Sequence, residues 1–347
     1  MNWLGLDVGG ANLKAADGRG WARIVAFPLW RDPEGLTGAI AGLLARAPAA
    51  DRLAVTMTGE LCDCFGTKAE GVRHILSAVE QGAGRRETLV YLVDGRLVPV
   101  DQAREVPSLA AASNWHALAR FVCRYTDCEY TVSSAGLLID VGSTTSDIVP
   151  LVGQQPGPTA FNDTDRLVSG ELVYTGVGRT PVCAITSWLP WRGVRCPVAA
   201  ELFATAADAY VILGDLPEEP GATWTADGRG LTKELARGRL ARMICADPST
   251  FDEADAERAA KAVRAAQLSH LQEAVERVAT RMAARPACVV LSGEGEFLAA
   301  EVVRRCLPSA KLVSLAGKLG SDVSRAAPAH ALAVIAREAG PQNGPKP

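Results

Sequence analysis

The fold is decided by one stretch of sequence that occurs twice. Leu137-Leu-Ile-Asp-Val-Gly-Ser-Thr-Thr-Ser-Asp-Ile-Val149 repeats the pattern of Leu4-Gly-Leu-Asp-Val-Gly-Gly-Ala-Asn-Leu-Lys-Ala-Ala16. In both copies an apolar run reaches an aspartate, Asp7 or Asp140, and then a glycine turn. A strand, a tight glycine turn and a second strand together predict a β-hairpin in each copy.

A second motif is repeated in the same order. Val55-Thr-Met-Thr-Gly-Glu60 matches Val289-Val-Leu-Ser-Gly-Glu294. Two different motifs repeated in order predict two copies of one domain type. Asp7 and Thr58 are 51 positions apart, whereas Asp140 and the matching serine are 152 positions apart. The second copy therefore holds an insertion of about 100 residues.

These spacings predict the domain organisation. We expect a first domain over residues 1–130 and a second over 131–320, with the insertion at about 155–285. A helix at about 321–339 is expected to pack back on the first domain, and residues 340–347, rich in Gly and Pro, are expected to be unfolded.

The composition is that of a globular protein of 347 residues, 48% hydrophobic and 22% charged. The net charge of −3 argues against a nucleic-acid binder, which normally carries a basic excess. No apolar run reaches the roughly 20 residues of a membrane helix. The chain opens directly into a strand pattern without a targeting segment, so we expect a cytoplasmic location and no membrane partner. Whether it forms a homo-oligomer is left open.

The nine cysteines do not form a zinc pattern. Paired C-x2-C spacing is absent, and a cytosolic chain of this size does not need disulfides. Buried or surface thiols are the expected state. Any further role of Cys64, which follows the first T-G-E loop, or of Cys183 is left open.

Hydrophobic periodicity predicts helices and strands between these motifs. Among them are one long helix over Ser108–Tyr125 and a strand over Ala209–Leu213.

The glycine hairpins are suited to binding an oxyanion. Without a Cβ, glycine lets backbone N–H groups approach phosphate oxygens closely. Ser143, Thr144 and Thr145 add hydroxyl donors to the second hairpin. A carboxylate beside the phosphates can hold Mg²⁺ directly or through water. One such hairpin alone is weak evidence, but the paired copies strengthen the prediction.

At this point the chain resembles the actin, sugar-kinase and Hsp70 superfamily. The two hairpins look like its phosphate-1 and phosphate-2 loops, and Leu291-Ser-Gly-Glu-Gly295 looks like its adenosine loop. This resemblance implies an α/β fold of two ribonuclease-H-like domains with a ligand cleft between them, the second domain carrying a long insertion.

A narrower resemblance is to the hydantoinase/oxoprolinase-related branch, and within it to proteins linked to tetrahydromethanopterin-dependent one-carbon transfer. The segments that carry it are Thr58-Gly-Glu-Leu-Cys-Asp-Cys-Phe65, Ala69-Glu-Gly-Val-Arg-His-Ile75, Ala112-Ser-Asn-Trp115, Ser169-Gly-Glu-Leu-Val-Tyr-Thr-Gly176, Arg179-Thr-Pro-Val-Cys183 and Glu201-Leu-Phe-Ala-Thr205. Archaeal relatives in this branch are condensing enzymes of methanofuran biosynthesis. The resemblance implies a transferase that joins a furan-methyl diphosphate to the phenol oxygen of tyrosine, tyramine or glutamyl-tyramine and releases pyrophosphate.

Motif positions assign expected roles to individual residues. Phosphate contacts are expected from Gly9, Gly10, Asn12, Lys14, Gly142, Ser143, Thr144, Thr145, Arg179, Gly293 and Glu294. Metal-side carboxylates are expected at Asp7, Asp140 and Asp147, and catalytic groups at Glu60, Asp140 and Glu171. Substrate contacts are expected from Thr58, Asn114, Trp115, Tyr174 and Thr180.

Each role has a plainer alternative. The aspartates can cap turns, and Lys14 and Arg179 can be solvated surface cations. Glu60 can be a helix-start carboxylate that interacts with the helix dipole, and Trp115 can be a core residue. None of the histidines has metal-ligand spacing, and none is given a role.

Three functions remain in competition on the sequence alone. The first is the pyrophosphate-releasing transferase, with Mg²⁺ and two small-molecule substrates. The second is an ATP-dependent kinase or an oxoprolinase-like enzyme that uses ATP. The third is a non-catalytic nucleotide sensor that works by domain closure. Release of pyrophosphate or of ADP would separate the first two.

Overall fold

The computed structural model describes residues 2–126 and 135–339. The predicted unfolded tail at 340–347 and the predicted domain boundary at 130/131 lie outside these residues. Within them, every helix is too short or too polar to cross a lipid bilayer.

The strands are β1 (Trp3–Val8), β2 (Asn12–Ala16), β3 (Ala22–Ala26), β4 (Arg52–Met57), β5 (Glu87–Tyr91), β6 (Leu97–Pro99), β7 (Ala135–Val141), β8 (Ser146–Val152), β9 (Gln155–Pro156), β10 (Leu172–Val173), β11 (Trp188–Trp191), β12 (Val194–Pro197), β13 (Cys288–Ser292) and β14 (Lys311–Ser314).

The helices are α1 (Leu36–Leu44), α2 (Lys68–Ala83), α3 (Val100–Glu105), α4 (Pro107–Ala110), α5 (Asn114–Val122), α6 (Asp163–Ser169), α7 (Val182–Ile185), α8 (Ala206–Leu213), α9 (Lys233–Arg242), α10 (Glu253–Arg281), α11 (Glu296–Cys306), α12 (Leu315–Leu319), α13 (Ser321–Arg325) and α14 (Ala327–Glu338).

The chain divides into two compact units. The first consists of Met1–Gly136, Val149–Arg166 and Val313–Pro347, and the second of Leu137–Ile148 and Leu167–Leu312. The main difference from the predicted domain bounds is the segment Val149–Arg166. It belongs to the first unit, whereas the sequence predicts it in the second domain.

The first unit is built on a six-stranded sheet in the order β3-β2-β1-β4-β5-β6. Strands β1, β4 and β5 are parallel, whereas β2 and β3 continue from β1 as an antiparallel meander. Every residue of β1 is buried, as expected for a central strand covered on both faces. The register sets Asp7 directly opposite Lys14.

Helix α14 packs closely on β1 because Gly5 has no side chain. A Cβ at Gly5 would lie 1.9 Å from the carbonyl oxygen of Ala329. The glycine therefore lets the helix backbone approach the sheet. Helix α14 also packs against α5.

The second sheet follows the order β10-β8-β7-β13-β14. In chain order this corresponds to β3-β2-β1-β4-β5 of the first sheet, so the repeated motifs occupy the same places in both sheets. The α/β fold of two ribonuclease-H-like domains, expected from the resemblance, is confirmed. The second unit has its own core, in which α8, α10 and α11 pack against one another.

Two sequence-based assignments are wrong. The strand predicted at Ala209–Leu213 is part of α8, since Thr205 and Asp208 form a capping box at its N-terminus and Gly214 ends it in the left-handed region, with φ 78°. Asp208 is further fixed by a buried ion pair with Arg239 at 2.7 Å. These caps override the strand propensity of the apolar run.

The predicted long helix over Ser108–Tyr125 is broken in two. Helix α4 ends at Ala110 and α5 begins at Asn114. Between them Ala112 has φ 46°, which is left-handed backbone that a non-glycine residue adopts only under local constraint.

Candidate functional site

The first glycine hairpin is closed by its own backbone. The N–H of Gly9 donates to the carbonyl of Asn12 at 3.0 Å. A Cβ at Gly9 would lie 2.9 Å from that same carbonyl oxygen, so the tight turn requires glycine.

The loop after β4 is bound to this hairpin. The N–H groups of Thr58 and Gly59 both donate to the carbonyl of Val8, at 2.9 and 3.1 Å. The structure therefore brings the predicted substrate contact Thr58 beside the predicted phosphate loop of the first unit.

The second unit repeats this arrangement. The N–H of Gly142 donates to the carbonyl of Thr145 at 2.9 Å, and the N–H of Gly295 donates to the carbonyl of Val141 at 2.9 Å. Gly293 has φ 88°, and a Cβ there would lie 2.8 Å from a carboxylate oxygen of Asp140. The hairpin and the Leu291–Gly295 loop thus meet at Asp140, as the sequence echo predicts. Glu294 lies exposed in this loop.

A third segment of the second unit covers the hairpin from the other side. The N–H groups of Gly178 and Arg179 donate to the carbonyl of Ser143 at 2.9 and 2.8 Å. A Cβ at Gly176 would lie 2.4 Å from the carbonyl oxygen of Gly142. Thr180 is buried and bonds to Gly176 through its hydroxyl, which accepts from the Gly176 N–H at 2.8 Å.

A buried polar network that the sequence analysis missed supports this segment. The amide of Gln267 donates to the Thr175 hydroxyl at 2.7 Å and to the Gly176 carbonyl at 2.8 Å. Its oxygen accepts from the Tyr210 hydroxyl at 2.6 Å. The Ser146 hydroxyl donates to the Thr175 carbonyl at 2.7 Å. This network fixes the glycine segment against the start of β8.

Asp7 is a buried carboxylate with an incomplete set of partners. Its nearest cation is Lys14, at 3.9 Å. Its Oδ1 atom has no hydrogen-bond partner among the described residues. Burial raises the pKa of Asp7, while Lys14 lowers it. The pair can therefore bind an additional polar group.

The residues present fit Mg²⁺ held largely by water and phosphate. In the part of the chain that the structure describes, no three His, Cys, Asp or Glu side chains converge as a preformed metal site. Mg²⁺ typically takes only one or two protein carboxylates and keeps several waters, so such a cluster is not needed. Each unit offers such a carboxylate beside its own hairpin, Asp7 with an unpartnered oxygen in the first unit and the half-buried Asp140 in the second.

Glu60 is a second buried acid with a raised pKa near these loops. Its side chain is 1% exposed, and its Oε2 atom has no hydrogen-bond partner within the described ranges. The pKa of Glu60 is raised to about 7, chiefly by burial and also by the negative charge of Asp163. Its own backbone amide, Lys68 and the backbone amide of Ala112 act in the opposite direction. A carboxyl with this pKa can accept or donate a proton at neutral pH.

A cavity of about 250 Å³ in the first unit is lined by Lys68, Ala112 and Asp163, the same three residues that act on the pKa of Glu60. Its polar wall is the ion pair between Lys68 and Asp163, at 2.6 Å. The remaining wall is mostly apolar and includes Ala112 and Phe161. We define this space as the ring cavity. Its lining residues are Lys68, Ala69, Pro107, Ser108, Ala111, Ala112, Phe161, Asn162 and Asp163.

Other predicted site residues lie in diverse surroundings. Trp115 is 2% exposed and is covered by the guanidinium of Arg166, 3.8 Å from its ring centre, which favours a packing role. Asn114 accepts from the Trp115 N–H at 2.7 Å. Glu171 is buried, with Arg281 at 3.9 Å, whereas Tyr174 is exposed. Asp147 is buried on β8, opposite Leu172. The roles of these residues stay predictions.

Several residues near the site were missed by sequence reasoning. Lys68, Ala112, Phe161 and Asp163 are brought together from three separate segments. Only Ala112 lay in a motif that had been singled out, and nothing in the local sequence signalled its backbone conformation. Cys64 is exposed and Cys183 half-buried, and neither lines the ring cavity.

Comparison with known proteins identifies the family of the chain. The hydantoinase/oxoprolinase family model matches residues 51–337. A relative from Methanocaldococcus jannaschii is 32% identical over 96% of this chain and 96% of its own length. It is named (4-{4-[2-(gamma-L-glutamylamino)ethyl]phenoxymethyl}furan-2-yl)methanamine synthase. A protein of the same name from Methanococcus vannielii is 27% identical over 57% of this chain and 89% of its own length.

Among solved structures, an archaeal actin homolog covers 97% of this chain and 100% of its own, with 11% identity and a TM-score of 0.46. That likeness is too distant for any inference about function. The family match spans most of the chain, and the first relative spans nearly all of it. The chain therefore belongs to the hydantoinase/oxoprolinase family.

Proposed function

We propose that this protein is a transferase that joins a furan-methyl diphosphate to the oxygen of a tyrosine-derived phenol and releases pyrophosphate. The observation that carries the proposal is the near full-length relationship to a synthase whose name describes such an aryl ether. The buried acid Glu60 beside the ring cavity supports it, because this chemistry requires a base for a phenolic proton.

The proposed reaction balances without a redox partner. The phenol oxygen forms a bond to the furan-methyl carbon, and the bond between that carbon and the diphosphate oxygen breaks. The diphosphate leaves with the bonding electron pair, and the phenolic proton passes to Glu60. A phenol has an ordinary pKa near 10, so the raised pKa of Glu60, about 7, makes it a better base than a solvated glutamate.

The ring cavity is the proposed place for the phenol. Its apolar wall suits an aromatic ring, and its volume of about 250 Å³ suits a small ligand. The ion pair between Lys68 and Asp163 sets the electrostatic surroundings of Glu60 at the polar wall.

The glycine hairpins are the proposed diphosphate contacts. Each hairpin turns through glycine, and without a Cβ an oxyanion can approach the backbone N–H groups of such a turn closely. Lys14 beside Asp7 in the first unit and the exposed Arg179 beside Ser143 in the second supply positive charge for the leaving group.

Mg²⁺ is the proposed metal, with Asp7, Asp140 and Asp147 as the residues that would hold it. When bound, it would neutralise charge on the departing diphosphate.

One assay tests both the proposed reaction and the alternative that the enzyme uses ATP. Purified protein with Mg²⁺ and the furan-methyl diphosphate is incubated with tyrosine, tyramine or γ-glutamyl-tyramine, with and without ATP. The proposal predicts the ether by mass spectrometry, together with pyrophosphate, in the absence of nucleotide. Release of ADP with no ether from any phenol would favour an ATP-using enzyme, and nucleotide binding without turnover would favour a sensor.

A further inference from the structure

We propose that a second cavity, centred on Arg120, is a subsite for a carboxylate at the far end of the phenolic acceptor. This inference rests on the proposed function and assigns a specificity-determining residue to it. The cavity has a volume of about 450 Å³ and lies in the first unit. We define it as the tail cavity. Its lining includes Asp94, Arg96, His116, Arg120, Gln155 and Phe161.

The tail cavity carries a net positive charge from Arg120. Asp94 is already paired with Arg96, whose Nε donates to the Asp94 carboxylate at 2.8 Å. His116 adds no charge at neutral pH, because burial lowers its pKa to about 4. Among the lining residues, the carboxylate of Asp94 and the guanidinium of Arg96 balance, which leaves the guanidinium of Arg120. Outside the lining, Arg120 lowers the pKa of Glu338, a carboxylate that is paired with Arg124 at 2.9 Å.

Arg120 is oriented by neutral groups. Its Nη1 donates to the carbonyl of Gly95 at 2.7 Å, and the side chain is half-buried. Within residues 2–126 and 135–339, Arg120 forms no ion pair. Tyr91, which lies beside Arg120, bonds through its hydroxyl to Nδ1 of His116 at 2.9 Å. A held guanidinium without a carboxylate partner is suited to binding one from a ligand.

The tail cavity and the ring cavity adjoin. Phe161 lines both of them, and its ring lies 6.5 Å from the ring of His116, centre to centre. Ala112 borders the ring cavity just before α5 begins, and His116 and Arg120, four residues apart on α5, both line the tail cavity. In α5 an interval of four advances about 6 Å along the axis on one face.

This order matches an elongated ligand. An aromatic ring in the ring cavity would have its hydroxyl near Glu60, and a chain leading past Phe161 would bring a terminal carboxylate to Arg120. The inference therefore favours an acceptor that carries a carboxylate over one that ends in an amine.

The test compares acceptors in the wild type, Arg120→Gln and Arg120→Lys. The ratio of kcat/KM for γ-glutamyl-tyramine to kcat/KM for tyramine is measured for each protein. Wild type is expected to prefer the carboxylated acceptor, and Arg120→Gln to reduce that ratio at least tenfold, chiefly through KM. Arg120→Lys, which keeps the positive charge, is expected to have a ratio between those of Arg120→Gln and wild type. Arg46→Gln, an exposed change of the same charge outside both cavities, is the matched control and should leave the ratio unchanged.

A binding measurement separates failure of this inference from failure of the proposed function. Calorimetric titration with 3-(4-hydroxyphenyl)propionate and with tyramine needs no turnover. Tighter binding of the carboxylate by wild type, lost in Arg120→Gln, would support the subsite even if no ether forms. Equal ratios and equal affinities in wild type and Arg120→Gln would overturn it, whether or not the ether forms.

Discussion

The backbone amide of Ala112 interacts with the buried carboxyl of Glu60, and Ala112 itself has φ 46°. A non-glycine residue in this region typically costs about 1–3 kcal/mol and persists where the surroundings enforce it. The break between α4 and α5 thus places a hydrogen-bond donor beside a carboxyl whose pKa is about 7. This combination of local strain and perturbed pKa is typical of functional sites.

Replacement of Glu60 by glutamine is expected to reduce kcat at least 100-fold. The amide has the same shape but cannot accept the phenolic proton, and general bases contribute about 10²–10⁴-fold. Steady-state rates of pyrophosphate release would measure the loss. Glu70→Gln, the same chemical change at an exposed position on α2, is the control and should retain wild-type activity. Full activity in Glu60→Gln would remove Glu60 from the chemistry.

Replacing either member of the ion pair beside Glu60 should shift the pKa of Glu60, and the two shifts should have opposite directions. Lys68 lowers the pKa of Glu60 and Asp163 raises it. The acidic limb of the pH–rate profile should therefore move to higher pH in Lys68→Met and to lower pH in Asp163→Asn. Both variants break the same 2.6 Å contact, so structural damage alone would move both limbs in the same direction. Shifts of equal sign would count against Glu60 as the titrating base.

Glu60 also predicts a pH dependence of stability. Its pKa is about 7 in the folded protein and near 4.5 when unfolded, so the folded state binds more protons between these values. The stabilisation from neutral Glu60 is thus present below about pH 4.5 and is lost as the pH rises through about 7.

His116 and His330 act in the opposite direction, because their pKa values are lowered to about 4 by burial. The contribution of Glu60 is therefore measured as the difference in the free energy of unfolding by urea between wild type and Glu60→Gln. Between pH 5 and pH 8, wild type should lose a few kcal/mol of stability relative to Glu60→Gln. A pH-independent difference would contradict the raised pKa.

Substitution of Gly176 by alanine should disturb the second hairpin. The added Cβ would lie 2.4 Å from the carbonyl oxygen of Gly142, and backbone cannot yield as a flexible side chain can. Overpacking of this kind typically costs about 1–3 kcal/mol. We expect a lower unfolding midpoint and weaker pyrophosphate inhibition. Gly221→Ala, where a Cβ meets nothing within 4 Å, is the matched control. Equal behaviour of the two variants would show that the close packing at Gly176 is not needed.

The repeated architecture could be predicted from the sequence because its signals are local. Each hairpin needs an apolar strand, an aspartate and a glycine turn, and those residues are consecutive at Leu4–Ala16 and Leu137–Val149. The hydrogen bonds from Gly9 to Asn12 and from Gly142 to Thr145 show the same turn in both places.

The ring cavity could not be predicted in the same way. Lys68 and Asp163 are 95 residues apart, and their contact depends on Val149–Arg166 packing within the first unit. The apolar run at Ala209–Leu213 is predicted as a strand from its own residues. It forms a helix because the capping residues Thr205 and Gly214 lie outside the run. The positive φ of Ala112 has no local sequence signal, since alanine ordinarily favours helix.

In the proposed reaction, a phenol oxygen displaces diphosphate without a nucleotide. Its most direct test is a stoichiometry measurement on nucleotide-free protein with Mg²⁺, the furan-methyl diphosphate and a phenol labelled with ¹⁸O at its hydroxyl. We expect one pyrophosphate for each ether formed, and mass spectrometry should find the label in the ether. An ether without the label, or no ether unless ATP is added and converted to ADP, would contradict it.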